Sequence, residues 1–182
     1  GLFEYDYIVN DIFEQIVGKL TNKELLTETG KNFLNKIENQ KTICLSVRKF
    51  DLEDLKFKDY YQVCGRKYYY KALDYILQAS PNAKIVVFSD AVQWCKENLY
   101  LENRYKNTQI LYECDDLNLN EKLVIMAQCS HFVISNSTFS WWAQKLGNNK
   151  SKIVCAPKKW NRDYYTKNIG LYNQEWILID NE

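Results

Sequence analysis

The sequence has little of what metal and histidine chemistry require. It contains one histidine, His131, and none of its six cysteines lies in a Cys-x-x-Cys pair. The sequence therefore has few of the residues needed for a metal centre built from these ligands or for a catalytic triad that depends on histidine. Most cysteines fall within apolar runs, which is typical of reduced, buried thiols and not of a disulfide framework. We expect no metal ion, and a structural role for His131.

Other features are also absent. No apolar run approaches the ~20 residues of a membrane span, and the first residues do not resemble a signal peptide. The net charge of +1 is too small to attract the protein as a whole to nucleic acid or to an anionic membrane. Neither a Gly-x-Gly-x-x-Gly run nor a Walker loop occurs, which disfavours dinucleotide redox chemistry and ATP hydrolysis. We expect a cytoplasmic protein that binds no nucleic acid.

The residues that are present predict an α/β domain. Hydrophobic residues make up 46% of the chain, enough for a substantial core. Residues 1–40 have helical periodicity and no visible chemistry, so we expect a helical segment that packs on a domain formed by residues 41–182. From residue 42 onward strands alternate with helices, which predicts a Rossmann-like, mostly parallel sheet with helices on both faces. The predicted strands are Thr42–Val47, Lys84–Phe88, Thr108–Tyr112, Phe132–Ile134, Lys152–Ala156 and Trp176–Ile179, and the predicted helices include Arg66–Ala79, Asn118–Cys129 and Phe139–Leu146.

Three polar clusters share one position, because each follows the carboxyl end of a predicted strand. In a parallel sheet these ends meet at one edge, where nucleotides usually bind. Arginine suits phosphate oxygens, a helix start offers free N–H groups to an anion, and a carboxylate can accept hydrogen bonds from a guanine edge. Taken singly, each cluster also has an ordinary explanation as a solvated charge or a helix cap. The clusters are Arg48 and Lys49, Ser89 and Asp90, and Asn136, Ser137 and Thr138.

Several stretches together resemble the motifs of one enzyme family. They are Phe88-Ser-Asp90 with Trp94; Asp115 to Met126 with Cys129; the run Asn136-Ser-Thr-Phe-Ser-Trp-Trp142; and Val154, Pro157 and Trp160. The family is that of the bacterial α-1,2-fucosyltransferases, glycosyltransferase family 11. Its most specific signal is the run ending in the double tryptophan, with Phe-Ser-Asp upstream. The likeness covers about residues 42 to 165.

The resemblance implies an inverting, metal-independent transfer of L-fucose from GDP-β-L-fucose to a 2-hydroxyl, typically of galactose in a glycan. It also implies that the domain is the C-terminal, donor-binding half of a two-domain GT-B glycosyltransferase. Arg48 is the expected catalytic residue, because it would stabilise the charge that develops on the leaving diphosphate. Asp90 would accept hydrogen bonds from guanine. The expected donor-binding residues are Arg48, Lys49, Asp51, Ser89, Asp90, Asn136, Ser137 and Thr138, with no cofactor besides the donor itself.

One motif departs from the family pattern His-x-Arg-Arg-Gly-Asp. Arg48 and Asp51 are kept, whereas Ser46 stands for His, Lys49 for the second Arg and Phe50 for Gly. These departures leave open a related transferase that uses another nucleotide sugar.

Length leaves a further alternative open. Family members are longer and carry an N-terminal domain that helps form the acceptor cleft, and Gly1 stands where an initiator Met would be expected. We therefore expect that the N-terminal half of a longer chain is missing. A non-catalytic nucleotide- or glycan-binding domain of a glycan-assembly protein also remains open. Peripheral membrane association through the glycan substrate is a further expectation.

Overall fold

The computed structural model describes residues 6–49, 64–160 and 171–181, which form one parallel sheet surrounded by helices. The strands are β1 (Thr42–Val47), β2 (Lys84–Ser89), β3 (Ile110–Tyr112), β4 (His131–Val133), β5 (Val154–Pro157) and β6 (Ile177–Ile179). The helices are α1 (Asp6–Leu20), α2 (Glu28–Asn35), α3 (Arg66–Ala79), α4 (Val92–Asn98), α5 (Leu101–Arg104), α6 (Leu119–Ala127) and α7 (Thr138–Leu146), with a 3-10 turn at Lys23–Leu25.

The strand order confirms the predicted Rossmann-like class. The sheet runs β3-β2-β1-β4-β5-β6, and every neighbouring pair is parallel. This is the order of a doubly wound sheet. The chain adds β2 and β3 on one side of β1 and then crosses back, so that β4, β5 and β6 lie on the other side. Between β1 and β4 the connections therefore diverge, and ligands of such sheets usually bind beyond the carboxyl ends of these strands.

The central strand shows why the apolar runs of the sequence are continuous. All six residues of β1 are buried. Alternate side chains point to opposite faces of a strand, so Ile43, Leu45 and Val47 join the core under α3, whereas Cys44 joins the core under α6 and α7. A strand covered by helices on both faces needs apolar residues at nearly every position. The sheet centre is thus a rigid support for the loops that leave its carboxyl edge.

A buried carboxylate joins the segment before the sheet to the rest of the domain. Glu121, in the first turn of α6, is 2% exposed. Its Oε1 accepts hydrogen bonds from the Thr27 backbone N at 2.8 Å and the Thr27 Oγ1 at 2.6 Å, while its Oε2 accepts from the Asn118 backbone N at 3.1 Å. Thr27 caps α2 and Asn118 caps α6, so Glu121 holds the starts of both helices. The division of the chain at residue 40 stays a prediction.

The cysteines and the histidine have the structural character expected from the sequence. All six cysteines are free thiols, and all except Cys114 are buried. His131 accepts a hydrogen bond at Nδ1 from the Ile153 backbone N at 3.1 Å, which links β4 to the chain entering β5. Burial, followed by the charge of Lys41, lowers the pKa of His131. The imidazole is therefore held neutral as a structural acceptor.

Within residues 6–49, 64–160 and 171–181, the structure has neither a membrane-spanning helix nor a cluster of metal ligands. No helix there combines the length and apolarity needed to cross a bilayer. In the same ranges, no group of three or more His, Cys, Asp or Glu side chains is arranged to hold a metal ion. The expectation of a metal-independent reaction stays a prediction.

Candidate functional site

The three predicted clusters follow three adjacent strands at the carboxyl edge of the sheet. Val47 pairs with Ser89 in the β1–β2 register, which places Arg48 beside Asp90. The third cluster follows β4, the neighbour of β1 on its other side. Adjacent strands are about 4.8 Å apart, so all three clusters border the point where the connections diverge. Asp51, the remaining predicted site residue, lies outside the described residues.

Arg48 and Asp90 form an ion pair across the ends of β1 and β2. Arg48 Nη1 is 3.0 Å from Asp90 Oδ2, and the two side chains are 43% and 23% exposed. The Lys49 backbone N donates a hydrogen bond to Asp90 Oδ1 at 2.9 Å. Both carboxylate oxygens of Asp90 therefore already have a donor, and a guanine edge would share them. The pair holds the guanidinium at the sheet edge while leaving nearly half of the side chain open to solvent.

The helix-cap alternative for Asp90 is wrong. The N-cap of α4 is Ala91, which provides no side-chain hydrogen bond to the helix. Ser89 stabilises this turn instead, because its Oγ accepts a hydrogen bond from the Ala91 backbone N at 2.9 Å. Asp90 is thus directed toward the loop after β1 and away from the helix that follows it.

Lys49 contributes a second positive charge beside Arg48. Its ammonium lies 3.9 Å from the centre of the Trp94 ring, on α4. A cation over an indole face is attracted by the ring quadrupole, by about 0.5–1 kcal/mol at an exposed site. Trp94 belongs to the motif that carries the family resemblance. The contact holds the end of a flexible side chain at the carboxyl edge of the sheet.

Glu113, a further residue at this edge, was not predicted from the sequence. It directly follows β3, its side chain is 1% exposed, and its Oε2 lies 2.9 Å from Lys122 Nζ. Its Oε1 accepts a hydrogen bond from the Ser89 backbone N at 2.8 Å. Burial raises the pKa of Glu113, and the Ser89 amide and Lys122 oppose that rise. The signal that could have identified it is its position as the first residue after a predicted strand, which Arg48 also occupies.

The start of α7 offers donors that the helix does not use. Ser137 is the N-cap, with φ −138° and ψ 129°, yet its hydroxyl makes no capping hydrogen bond. Serine at this position usually accepts a bond from the first turn. Thr138 is exposed, and in the described part of the chain the buried Ser135 Oγ has no hydrogen-bond partner. The hydroxyls and first-turn amides of α7 therefore form a surface suited to an anion.

Asn136 positions the turn between β4 and α7. It is 1% exposed, and its Nδ2 donates a hydrogen bond to the Trp160 backbone O at 2.9 Å. This bond ties the turn after β4 to the chain that follows β5. Direct contact between Asn136 and a donor nucleotide stays a prediction. Trp141, from the same motif, is 1% exposed and lies in the core.

The parallel sheet and the helices around it resemble one half of the GT-B fold. The structure is similar to an ADP-heptose lipopolysaccharide heptosyltransferase II of Escherichia coli, with a TM-score of 0.51 and 12% identity over 85% of this chain and 44% of that one. It is also similar to a glycosyl transferase family 9 protein of Veillonella parvula, with a TM-score of 0.50 and 12% identity over 85% and 41% of the two chains. At this identity the likeness shows the fold alone.

The sequence profile described as glycosyl transferase family 11 matches residues 4–180. The chain belongs to glycosyltransferase family 11, which confirms the resemblance seen in the sequence. Two relatives from Escherichia coli are similar to it. The O-antigen biosynthesis glycosyltransferase WbnK is 32% identical over 127 residues, and an alpha-1,2-colitosyltransferase is 28% identical over 124 residues. These matches cover 68% and 65% of this chain but 40% of each relative, so the chain spans less than half of their length.

Proposed function

We propose that this chain is the donor-binding half of an inverting fucosyltransferase. The complete protein would transfer L-fucose from GDP-β-L-fucose to the 2-hydroxyl of galactose in a glycan acceptor, without a metal ion. Membership of family 11 supports the reaction class, and the name of one relative, an O-antigen biosynthesis glycosyltransferase, supports O-antigen glycans as the setting. The observation that carries the proposal is Arg48, held by Asp90 at the carboxyl edge of β1 with its side chain partly open to solvent.

Arg48 has the chemistry that the leaving group requires. When the bond between the sugar C1 and the phosphate oxygen breaks, the electron pair leaves with GDP and negative charge grows on that oxygen. A guanidinium can donate two parallel hydrogen bonds to phosphate oxygens and stabilise this charge. Lys49 adds a second charge, and the amides and hydroxyls at Ser137 and Thr138 would hold the remaining oxygens. The acceptor oxygen attacks from the opposite face and loses its proton; we assign no general base to this chain.

Asp90 is the proposed acceptor for the guanine N1–H and N2–H₂ groups. An ionised carboxylate has about four lone-pair sites, so each oxygen can accept a second hydrogen bond beside those from Lys49 and Arg48. Asp90→Asn separates base recognition from positioning. Loss of selectivity for GDP over UDP would support base recognition. Equal weakening of both nucleotides would mean that Asp90 only holds Arg48 in place.

The first test is calorimetric titration of the chain with GDP, and with UDP as the control, in the presence of EDTA. Selective binding of GDP without metal supports a donor site built from this half of the protein. Equal affinity for the two nucleotides overturns the assignment of guanine recognition. If neither nucleotide binds, this half does not form the donor site alone, and the proposal fails for the chain as it stands.

A second candidate is transfer of another sugar from a related donor. One relative is named as a colitosyltransferase, and Lys49 replaces an arginine of the family motif. A panel of donors tests this directly, with hydrolysis of each nucleotide sugar as the readout. Turnover of a colitosyl donor in preference to GDP-fucose would favour the second candidate. Binding of GDP without turnover of any donor, even after the chain is restored to the length of its relatives, would favour a non-catalytic nucleotide-binding domain.

A further inference from the structure

A buried ion pair at the carboxyl edge has no part in the proposed mechanism. Glu113 and Lys122 approach to 2.9 Å, with side chains 1% and 21% exposed. Burying an ionised carboxylate is unfavourable unless it is paired and hydrogen-bonded, and an apolar pair of similar volume is often as stable or more stable. Simple packing therefore does not require Glu113 at this position.

Glu113 connects instead to the turn that presents Asp90. The Ser89 backbone N donates to Glu113 Oε1 at 2.8 Å. Ser89 Oγ in turn accepts from the Ala91 backbone N at 2.9 Å. The residues on either side of Asp90 are thus both fixed, one by the buried carboxylate and the other by the serine hydroxyl.

The chain of contacts continues from Asp90 to the proposed phosphate-binding residue. Asp90 Oδ1 accepts from the Lys49 backbone N at 2.9 Å, and Asp90 Oδ2 pairs with Arg48 Nη1 at 3.0 Å. Glu113 is thus connected to Arg48 through a hydrogen bond to Ser89, the peptide bond from Ser89 to Asp90, and the ion pair between Asp90 and Arg48. Arg48 and Asp90 are partly exposed, so their own contact is weak and depends on how the turn is held.

We infer that Glu113 is a positioning residue of the donor site: anchored by Lys122, it fixes the turn at Ser89 and thereby the direction of Asp90 and Arg48. The inference rests on the proposed function, since positioning of Arg48 matters only if Arg48 binds the donor diphosphate. Glu113 itself does not touch the donor in this assignment.

The experiment compares Glu113→Gln and Glu113→Ala with Asp116→Asn, which alters an exposed carboxylate of the same loop. The first readout is the dissociation constant for GDP, measured by ligand-observed NMR where the variants are fully folded. Glu113→Ala should weaken binding about tenfold, and Glu113→Gln about threefold, because the amide oxygen can still accept from Ser89. Asp116→Asn should bind as the wild type does.

A thermodynamic cycle with Arg48→Ala then separates positioning from general loosening. If Glu113 acts through Arg48, the effect of Glu113→Gln on GDP binding should become smaller once Arg48 is absent, and the remainder would act through Asp90 on the guanine base. Independent effects would multiply instead. Wild-type affinity in folded Glu113→Gln and Glu113→Ala, or multiplied losses in the double variant, would overturn the inference.

Amide hydrogen exchange gives a readout that does not depend on nucleotide binding. The Lys49 amide, which donates to Asp90, should exchange faster in Glu113→Gln relative to the Leu45 amide of β1, which reports general opening. If wild-type protein binds no GDP, the proposed function fails. The ratio of the Lys49 exchange rate to the Leu45 exchange rate still decides whether Glu113 positions the turn. An unchanged ratio overturns the positioning role even if GDP binds.

Discussion

Replacement of Arg48 by alanine is the substitution for which the structure makes the sharpest prediction. The Arg48 side chain is 43% exposed, and that of its ion-pair partner Asp90 is 23% exposed. Exposed ion pairs of this kind contribute at most about 1 kcal/mol to stability. We therefore expect Arg48→Ala to lower the free energy of unfolding by less than about 1 kcal/mol, measured by urea denaturation.

The effect on nucleotide binding should be much larger. Hydrogen bonds to charged groups contribute about 1.5–3 kcal/mol, which corresponds to roughly 10- to 150-fold in affinity. Loss of Arg48 also leaves the charge of Asp90 uncompensated near the diphosphate, and this repulsion acts in the same direction. In the complete protein, transfer should fall further, by roughly 10²–10³-fold, because charge stabilisation is strongest in the transition state.

Calorimetry with GDP and a transfer assay with GDP-fucose measure the two effects. Arg48→Lys is the matched control, since it keeps the charge but loses the planar fork, and it should retain part of the binding. A folded Arg48→Ala protein that binds GDP as tightly as the wild type would refute the assignment of Arg48.

Three further predictions concern stability. Asn136→Ala should destabilise the protein by about 1–3 kcal/mol in urea, because the buried carbonyl of Trp160 loses its donor; a change below about 0.5 kcal/mol would contradict this. His131 has a lowered pKa in the folded state, so the unfolded chain binds more protons and stability should fall as pH decreases through 6.5. That part of the pH dependence should vanish in His131→Asn, and an identical slope would exclude the histidine as its source. Gly147→Ala would place a Cβ 2.8 Å from the Phe132 ring, so a lower thermal midpoint is expected, whereas an unchanged midpoint would mean that the ring moves freely.

Much of the fold follows directly from the sequence because the sheet is covered on both faces. The strand Thr42–Val47 and the helix Arg66–Ala79 have the predicted bounds, since continuous apolar runs and helical periodicity are unambiguous there. The start of β5 was predicted too early, at Lys152. The ammonium of Lys152 donates to the Gly147 backbone O at 2.9 Å, so this residue closes the end of α7 before the strand begins.

The position of the candidate site was also predictable, because the carboxyl ends of parallel strands lie at one edge. The pairing of its residues was not. Arg48 and Asp90 were each expected to bind a ligand, and their attraction for one another depends on the β1–β2 register, which no local pattern specifies. Glu113 was missed for the same reason. Its partners lie on β2 and α6, and a single acidic residue after a short strand has no local signature of burial.

The contact between Glu121 and Thr27 has a consequence for the order of folding. The two residues are separated by 94 positions along the chain. Closing so long a loop costs conformational entropy before any contact is gained, and that cost grows with the logarithm of loop length. Because contacts between residues closer along the chain cost less entropy to form, we expect the strands between Thr27 and Glu121 to assemble before this hydrogen bond forms. Docking of α2 is therefore a late step of folding, and its formation would report that the sheet beneath it is already complete.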